Sequence, residues 1–483
     1  MNYKMILKSL GSVLFIEAAF MLPSFVVAII YGQGDAKAFL ITIIILAITG
    51  AILNSIRPGT SEIYARDGFA IVSLAWLFVS FFGALPFTFS GATNSFMDAL
   101  FETISGFTTT GSTVFSDIES LPKGILFWRS FTHWMGGMGV LVLTLAVLPS
   151  AKANTLHIMK AESPGPNPEK LVPKIGQTAK ILYSIYIAMT LLEIILLLVA
   201  GMPLFDALVN SFGTAGTGGF SVKNISIEAY NIISFEIIIA VFMFLFGINF
   251  TLYYQSLRGN IRSALKDGEL HFYFGIVIGS IIIITINLTG SVYGTFGEAL
   301  RYSTFQVSSI ITTTGYSTAN FDLWPALSKL ILVLIMFVGA SAGSTGGGIK
   351  CIRIFILFKI IKREVYKIIH PRSVYTVKIN GRAIEEEKLS GIMAFFAAYI
   401  IIFVISVLVV AIDNKDIVST FTAVAATINN IGPGLGLVGP AGNFADFSVL
   451  SKAVCSFCMI AGRLEIYPVL ILFSPAFWKR VNI

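Results

Sequence analysis

Apolar stretches of about 20 residues, the length that a bilayer core requires of a spanning helix, recur from one end of the chain to the other. They lie near positions 10–31, 37–55, 68–89, 124–149, 178–200, 230–257, 269–290, 326–369, 390–412 and 446–474. The pattern therefore predicts an all-α integral membrane protein with ten transmembrane helices that contact the lipid bilayer. The first stretch is followed at once by a second, so we expect a retained helix rather than a cleaved signal peptide.

The composition excludes several classes of function. Of the 483 residues, 55% are hydrophobic and only 12% are charged, whereas soluble proteins are about one-quarter charged. No basic stripe with interleaved aromatic residues is present, so we expect no nucleic-acid partner. No nucleophile–base pair or metal-ligand cluster stands out, and the three cysteines lie in or beside apolar stretches. We therefore expect neither an enzyme nor a covalently bound cofactor.

The distribution of basic residues predicts the topology. With ten crossings both termini lie on one side, and the basic residues between the stretches fall on that same side. By the positive-inside rule this side is the cytoplasm, which places both termini there and the chain in a cell membrane. The basic positions are Lys4 and Lys8, Arg57 and Arg66, residues 152–174, Arg258 to Lys266, Lys359 to Arg382, and residues 479–480.

After the first two stretches, one pattern occurs four times: a spanning stretch, a half-length amphipathic piece, a polar glycine-bearing loop and a second spanning stretch. The half-length pieces are 95–107, 204–213, 296–311 and 415–428, and the loops read TTTGST at 108–113, AGTGGF at 215–220, TTTGYS at 312–317 and NNIGPG at 429–434. A period of about 100 residues suits a duplicated two-span unit. Each unit crosses twice, so four parallel helix–pore loop–helix repeats are predicted around a pseudo-fourfold axis. The predicted units are 1–67 for the two N-terminal helices, then 68–150, 151–258, 259–370 with a gate loop, and 371–483.

The loops are suited to a cation. Non-helical backbone at membrane depth must face protein or water, and the C-terminal end of each half-length helix carries about half a negative charge. Backbone carbonyls can replace a hydration shell, and a central glycine permits the positive φ that turns them inward. The predicted filter residues are Thr109, Thr110, Gly111, Gly216, Thr217, Gly218, Thr313, Thr314, Gly315, Asn430, Ile431 and Gly432. The cation is expected at Thr110, Gly111, Thr217, Gly218, Thr314, Gly315, Ile431 and Gly432. The alternative is four ordinary turns outside the membrane.

A second glycine-rich run, 339–350, interrupts the stretch 326–369 with small residues that favour flexibility over helix. We predict a mobile gate below the filter; the alternative is close helix packing through small residues. The gate residues are Gly339, Gly343, Ser344, Thr345, Gly346, Gly347, Gly348 and Arg463. Arg463 costs about 2.5–3.5 kcal/mol at membrane depth, so it should face the interior, beside the pore or paired with Glu465. Glu17, Glu193 and Glu236 are expected to bond neighbouring helices rather than to relay protons.

Together these motifs resemble the Trk/Ktr/HKT superfamily of potassium transport subunits, and within it the TrkH type. The resemblance rests on the four loops, the run GASAGSTGGGIK and the segment AGRLEIYPVL, and it covers nearly the whole chain. It implies potassium uptake through a pseudo-fourfold pore, with a homodimer of two separate pores and a cytoplasmic TrkA-like ring of nucleotide-binding regulatory subunits. It also implies that Gly111, Gly218, Gly315 and Gly432 are filter glycines and that Arg463 faces the gate loop.

Two points stay open in the sequence. The second and fourth loops depart from the TTTG pattern, so the cation cage cannot be uniform. Gly111 favours potassium, because some relatives that pass sodium carry serine there. The alternative to a channel is a proton- or sodium-coupled potassium symporter with alternating access, which would need opposed repeats rather than the parallel ones predicted here.

Overall fold

The computed structural model describes residues 1–59, 64–139, 175–373 and 375–478. Within these ranges most residues are helical, and the one small sheet pairs two antiparallel two-residue strands, β1 (Lys378–Ile379) and β2 (Arg382–Ala383). The all-helical fold class is therefore confirmed. The end of the predicted stretch 124–149 and the basic positions 152–174 and 479–480 lie outside the described residues.

Many of the exposed apolar side chains lie on the long helices. These helices are α1 (Tyr3–Tyr31), α2 (Ala36–Asn54), α3 (Ala65–Gly83) with its short continuation α4 (Leu85–Phe89), α7 (Ile175–Val199), α12 (Gly268–Leu288) and α16 (Glu386–Val410). In the described part of the chain, six helical segments are long and apolar enough to cross a membrane, or seven if one bent pair forms a single span. The predicted count of ten transmembrane helices is therefore not confirmed within the described residues.

Breaks within three predicted stretches account for part of this difference. The stretch 230–257 bends by 90° between α9 (Ile233–Phe246) and α10 (Phe250–Leu257). The run 339–350 separates α14 (Ala326–Val338) from α15 (Cys351–Ile369), as predicted. The last stretch breaks after α18 (Val449–Arg463), where Glu465 and Ile466 adopt left-handed φ values of 58° and 68° before α19 (Tyr467–Leu470). Only the middle break, which lies in a run of five glycines among small residues, was predicted from the sequence.

The bend between α9 and α10 is stabilised by the glycine-rich run. The Asn249 side chain caps α10 by accepting a hydrogen bond from the Thr251 amide at 2.9 Å. The amide of Phe250 donates to the carbonyl of Gly343 at 3.0 Å, and the amide of Ser341 donates to the carbonyl of Gly247 at 3.1 Å. Backbone groups freed by a break at membrane depth must be satisfied by neighbouring protein. Each irregular segment thus supplies partners for the other.

Four half-length helices are inserted among the long ones: α5 (Phe96–Phe107), α8 (Leu204–Gly216), α13 (Phe296–Ile311) and α17 (Ile417–Ile428). Side-chain caps at Ser95, Thr295 and Asp416 fix where three of them begin. At 1.5 Å per residue their 12 to 16 residues cover about 18–24 Å, which is less than a bilayer core of about 30 Å. They therefore end inside the protein, where their last turns are buried.

The remaining elements fill the space around these helices. They are α6 (Lys123–Gly137), α11 (Ile261–Leu265) and α20 (Pro475–Trp478).

Of the three membrane carboxyls singled out in the sequence, Glu236 pairs with Arg301 at 2.5 Å, as expected. Glu193 is fully buried. Glu17 is also buried, and neither its carboxyl oxygens nor those of Glu193 have a hydrogen-bond partner among the described residues. The expected bond to a neighbouring helix is therefore not formed at Glu17, whose carboxyl lies close to Gly83 of α3.

Candidate site: four converging loops

The four half-length helices end in the same hydrogen-bonded turn. In each, one amide bonds a carbonyl five residues back and the preceding amide bonds a carbonyl three residues back, which is the Schellman motif. In the five-residue bonds, the amide is given first and the carbonyl second: Thr110 to Ser105, Gly218 to Gly213, Thr314 to Ser309 and Ile431 to Ala426, at 2.8–2.9 Å. The others are Thr109 to Gly106, Thr217 to Thr214, Thr313 to Ile310 and Asn430 to Thr427, at 3.0–3.2 Å. The four loops, whose sequences are alike only in the first and third, thus adopt one backbone geometry.

The left-handed residue of each turn is not a glycine. Thr109, Thr217, Thr313 and Asn430 have φ values of 55°, 56°, 59° and 55°. A β-branched residue with positive φ is a genuine outlier, and such strain costs about 1–3 kcal/mol per residue and is concentrated at functional sites. Threonine in three of these positions therefore indicates that its side chain or its backbone orientation is needed there.

Two residues further on, a glycine with positive φ lies against the next loop, and the four loops close into a ring. A methyl group added to Gly111 would lie 2.0 Å from the carbonyl oxygen of Gly218. A methyl group on Gly219 would lie 2.1 Å from the carbonyl oxygen of Thr314, and one on Gly315 would lie 2.0 Å from that of Ile431. A methyl group on Gly432 would lie 2.8 Å from the carbonyl oxygen of Thr110. Each glycine thus makes room for a carbonyl of the neighbouring loop.

The ring also fixes the alignment of the second loop. Gly219, with φ of 74°, is the position equivalent to Gly111, Gly315 and Gly432, whereas the sequence prediction used Gly218. Gly216 is the last residue of α8, rather than part of the loop. Consecutive glycines at 218 and 219 allowed two alignments, and the available signal was the aromatic residue that follows Gly219 as Tyr316 follows Gly315. The predicted residues of the other three loops lie at equivalent positions.

The surfaces of the ring are uncharged and rich in oxygen. None of the residues 108–111, 216–219, 312–315 and 429–432 carries a charge. The hydroxyls of Thr108 and Thr110 lie 2.8 Å apart, and those of Thr312 and Thr314 repeat this arrangement at 2.8 Å. Main-chain carbonyls and hydroxyls, together with four helix C-terminal ends, form an environment that favours a cation.

The fourth loop differs from the others because Asn430 joins it to two neighbours. Its side-chain nitrogen donates to the hydroxyl of Thr110 at 2.9 Å and to the carbonyl of Met459 at 2.8 Å. This contact crosses from the fourth loop to the first, at the place where the glycine-to-carbonyl approach is loosest. The departure from threonine noted in the sequence therefore adds a side-chain tie within the ring.

The glycine-rich run lies directly against the third and fourth loops. The amide of Gly347 donates to the hydroxyl of Thr313 at 2.6 Å, and a methyl group on Gly347 would lie 2.8 Å from the Asn429 carbonyl oxygen. The ammonium of Lys350 donates to the carbonyl of Gly346 within the same run. All the predicted gate residues from Gly339 to Gly348 are buried except Gly343, which is exposed, so the small side chains allow a tight fit beside the ring.

Arg463 joins this run to the first loop. One guanidinium nitrogen donates to the hydroxyl of Thr109 at 3.1 Å and to the carbonyl of Thr345 at 2.8 Å. The other donates to the carbonyls of Gly136 and Gly137, which end α6, at 2.5 and 2.7 Å. Glu465, the alternative partner considered from the sequence, forms an ion pair with Arg353 at 2.5 Å. The arginine thus contacts the glycine-rich run.

One buried ion pair was missed in the sequence. Glu102 in α5 and Arg129 in α6 form a 2.5 Å pair whose side chains are 0% and 1% exposed. The available signal was a charge of each sign within otherwise apolar segments 27 residues apart. The pair lies behind the first two loops rather than in the ring.

The whole chain is similar to known transport proteins. A family model described as TrkH, a cation transport protein, matches residues 35–480. "Trk system potassium uptake protein TrkH" of Salmonella typhimurium is 38% identical, over 99% of this chain and 100% of its own length. "Trk system potassium uptake protein TrkG" of Escherichia coli is 36% identical, over 97% of each. The crystal structure of the potassium transporter TrkH from Vibrio parahaemolyticus matches with a TM-score of 0.89 and 36% identity, over 99% of this chain and 100% of that one. The chain therefore belongs to the TrkH family of cation transport proteins.

Proposed function

We propose that this chain is the membrane subunit of a potassium uptake system and that potassium crosses the cell membrane through the ring of four loops by channel-like permeation. The observation that carries the proposal is the closed ring of glycine-to-carbonyl approaches, from Gly111 through Gly219 and Gly315 to Gly432 and back to Thr110. The full-length relatives named as potassium uptake proteins support the choice of ion.

In this proposal the loops act as the selectivity filter. A potassium ion loses its hydration water and is coordinated by main-chain oxygens of Thr110, Gly218, Thr314 and Ile431, with the threonine hydroxyls as further acceptors. Carbonyl dipoles can hold a cation without a fixed negative charge, so the ion can leave again. The C-terminal ends of the four half-length helices lower the energy of the cation in the ring. The left-handed threonines hold the carbonyls in a preformed arrangement.

Below the ring, the run 339–350 acts as the gate in this proposal. Its contacts with Thr313 and Asn429, and the bond from Arg463 to Thr345, support a closed arrangement in which the run lies across the ion path. Arg463 and Lys350 also bring positive charge to this level, which adds an electrostatic barrier to cations. Opening requires the run to leave the loops and Arg463 to exchange its carbonyl partners.

The assembly around this unit follows from the resemblance. We propose a homodimer with two separate pores, both termini in the cytoplasm, and a cytoplasmic TrkA-like nucleotide-binding ring that controls the gate. The units 1–67, 68–150, 151–258, 259–370 and 371–483 are the corresponding proposed divisions of the chain, with potassium as the transported ion. The four matched helix ends support a fourfold repeat within the last four units.

Ion flux into liposomes tests the proposal. Purified protein should take up rubidium and potassium in preference to sodium, and the uptake should follow the membrane potential without a proton or sodium gradient. Uptake that stops when such a gradient is removed would instead favour a coupled symporter. Equal uptake of sodium and potassium would contradict the filter.

A further inference from the structure

The buried pair of Glu102 and Arg129 connects the outgoing segments of two neighbouring loops. One carboxylate oxygen of Glu102 accepts from the amide of Val114 at 2.9 Å, and the other accepts from the hydroxyl of Thr113 at 3.0 Å and from Arg129 at 2.5 Å. Thr113 and Val114 stand two and three residues after Gly111. The carboxylate therefore holds the first loop where it leaves the ring.

The arginine extends the same connection to the second loop. A guanidinium nitrogen of Arg129 donates to the carbonyl of Ser221 at 3.2 Å, and the guanidinium carbon lies 3.5 Å from the centre of the Phe220 ring. Phe220 and Ser221 follow Gly219 directly. Every group in this path is buried or half-buried, so water does not weaken the charge-assisted bonds.

Of the four half-length helices, only α5 carries an acid at the position of Glu102. Nine residues before each ring glycine stand Glu102, Asn210, Gln306 and Ala423. Between the second and third loops the connection is uncharged: the hydroxyl of Tyr316 lies within hydrogen-bond distance of the carbonyls of Asn210 at 2.9 Å and Phe220 at 3.2 Å. The interface of the first and second loops thus has a charged connection at this position, whereas that of the second and third loops has an uncharged one.

We propose that Glu102 and Arg129 are positioning residues that set the separation of the first and second loops and thereby the discrimination between potassium and sodium. This inference rests on the proposed function of the ring as a filter. A buried ion pair by itself need not increase stability relative to an apolar pair, so its placement behind the filter points to geometry as its role. Without the pair, the carbonyls of Thr110 and Gly218 are free to move relative to each other, and a cage that can contract accepts the smaller ion.

The test compares rubidium and sodium uptake by the wild-type chain, Glu102→Gln and Arg129→Lys in liposomes. Glutamine keeps the size of the side chain but removes its charge, and lysine keeps the charge but loses the planar fork that reaches Ser221 and Phe220. We expect either variant to lower the rubidium-to-sodium ratio about tenfold, equal to about 1.4 kcal/mol. The double variant should fall no further than either single one, because the two residues act through one connection.

A matched control separates positioning from stability. Glu236→Gln breaks another 2.5 Å pair, that of Glu236 with Arg301, which bonds no residue of the four loops. This variant should keep the wild-type ratio even if its thermal unfolding temperature falls. Folded Glu102→Gln protein with an unchanged ratio would overturn the inference. A drop of equal size in Glu236→Gln would do so too.

A milder variant covers the case in which the charge changes prevent folding. Thr113→Val removes the hydroxyl that bonds Glu102 while keeping the shape of a half-buried side chain. It should fold and lower the ratio about threefold, and an unchanged ratio in this variant would be sufficient to reject the inference. If the wild-type chain itself shows no potassium preference, the proposed filter fails instead, whatever the variants do.

Discussion

Replacing Gly315 with alanine tests whether the ring depends on the close approach of a glycine to a carbonyl. Gly315 has φ of +84°, and a Cβ atom there would lie 2.0 Å from the carbonyl oxygen of Ile431 and 2.8 Å from the Pro433 ring. Left-handed backbone costs an alanine about 1–2 kcal/mol, and forcing atoms into a filled site adds about 1–3 kcal/mol. The carbonyl of Ile431 must therefore move by roughly 1 Å to reach an ordinary contact distance.

The change should affect selectivity more than folding. We expect the rubidium-to-sodium uptake ratio of Gly315→Ala in liposomes to fall about tenfold, which corresponds to about 1.4 kcal/mol of lost discrimination. Gly290→Ala is the matched control, because Gly290 has a similar φ of +76° but no atom within 4 Å of an added Cβ. Gly290→Ala should lose only the free energy that a left-handed backbone costs an alanine, without a steric clash, and should keep the wild-type rubidium-to-sodium ratio. A folded Gly315→Ala protein with unchanged selectivity would show that the ring does not depend on this close approach.

Two further predictions concern the gate and the outer surface. Arg463→Gln removes charge-assisted bonds to Thr345 and Gly136, so rubidium uptake without any regulator should rise about threefold or more; uptake at or below the wild-type level would contradict the gate. At the outer surface, a hydrogen bond from Lys223 lowers the pKa of Glu119. The pair therefore stabilises the fold at neutral pH and loses this contribution as pH falls through that lowered pKa. Because both side chains are largely exposed, Glu119→Gln should change the free energy of unfolding by no more than about 1 kcal/mol at neutral pH and leave selectivity intact; a larger loss in a denaturation experiment would show that the pair is not screened.

The sequence was sufficient to predict the half-length helices because their limits are encoded locally. Ser95, Thr295 and Asp416 cap their starts, and each apolar periodicity stops at a polar run. The break at 339–350 was predicted for the same reason, since a run of small residues has low helix propensity. These features depend on neighbours in the chain.

The alignment of the second loop and the bend at 247–249 could not be predicted in the same way. The choice between Gly218 and Gly219 is decided by the Thr314 carbonyl, which belongs to another loop 95 or more residues away. The bend depends on bonds from Ser341 and to Gly343, which become neighbours only in the folded chain. Likewise, Glu102 and Arg129 stand out in the sequence as charged residues, but their bonds to Val114 and Ser221 form only in the folded chain. Their connection of the first and second loops therefore could not be predicted from the sequence.

If the four loops hold a cation between their main-chain oxygens, as proposed, the ion itself can be located there. Anomalous diffraction from crystals of the protein grown with rubidium tests this proposal most directly, because rubidium replaces potassium and its position can be located independently of the protein. We expect an anomalous peak between the carbonyl oxygens of Thr110, Gly218, Thr314 and Ile431. Ordered rubidium elsewhere in the protein, with no peak between these four residues, would contradict the proposal.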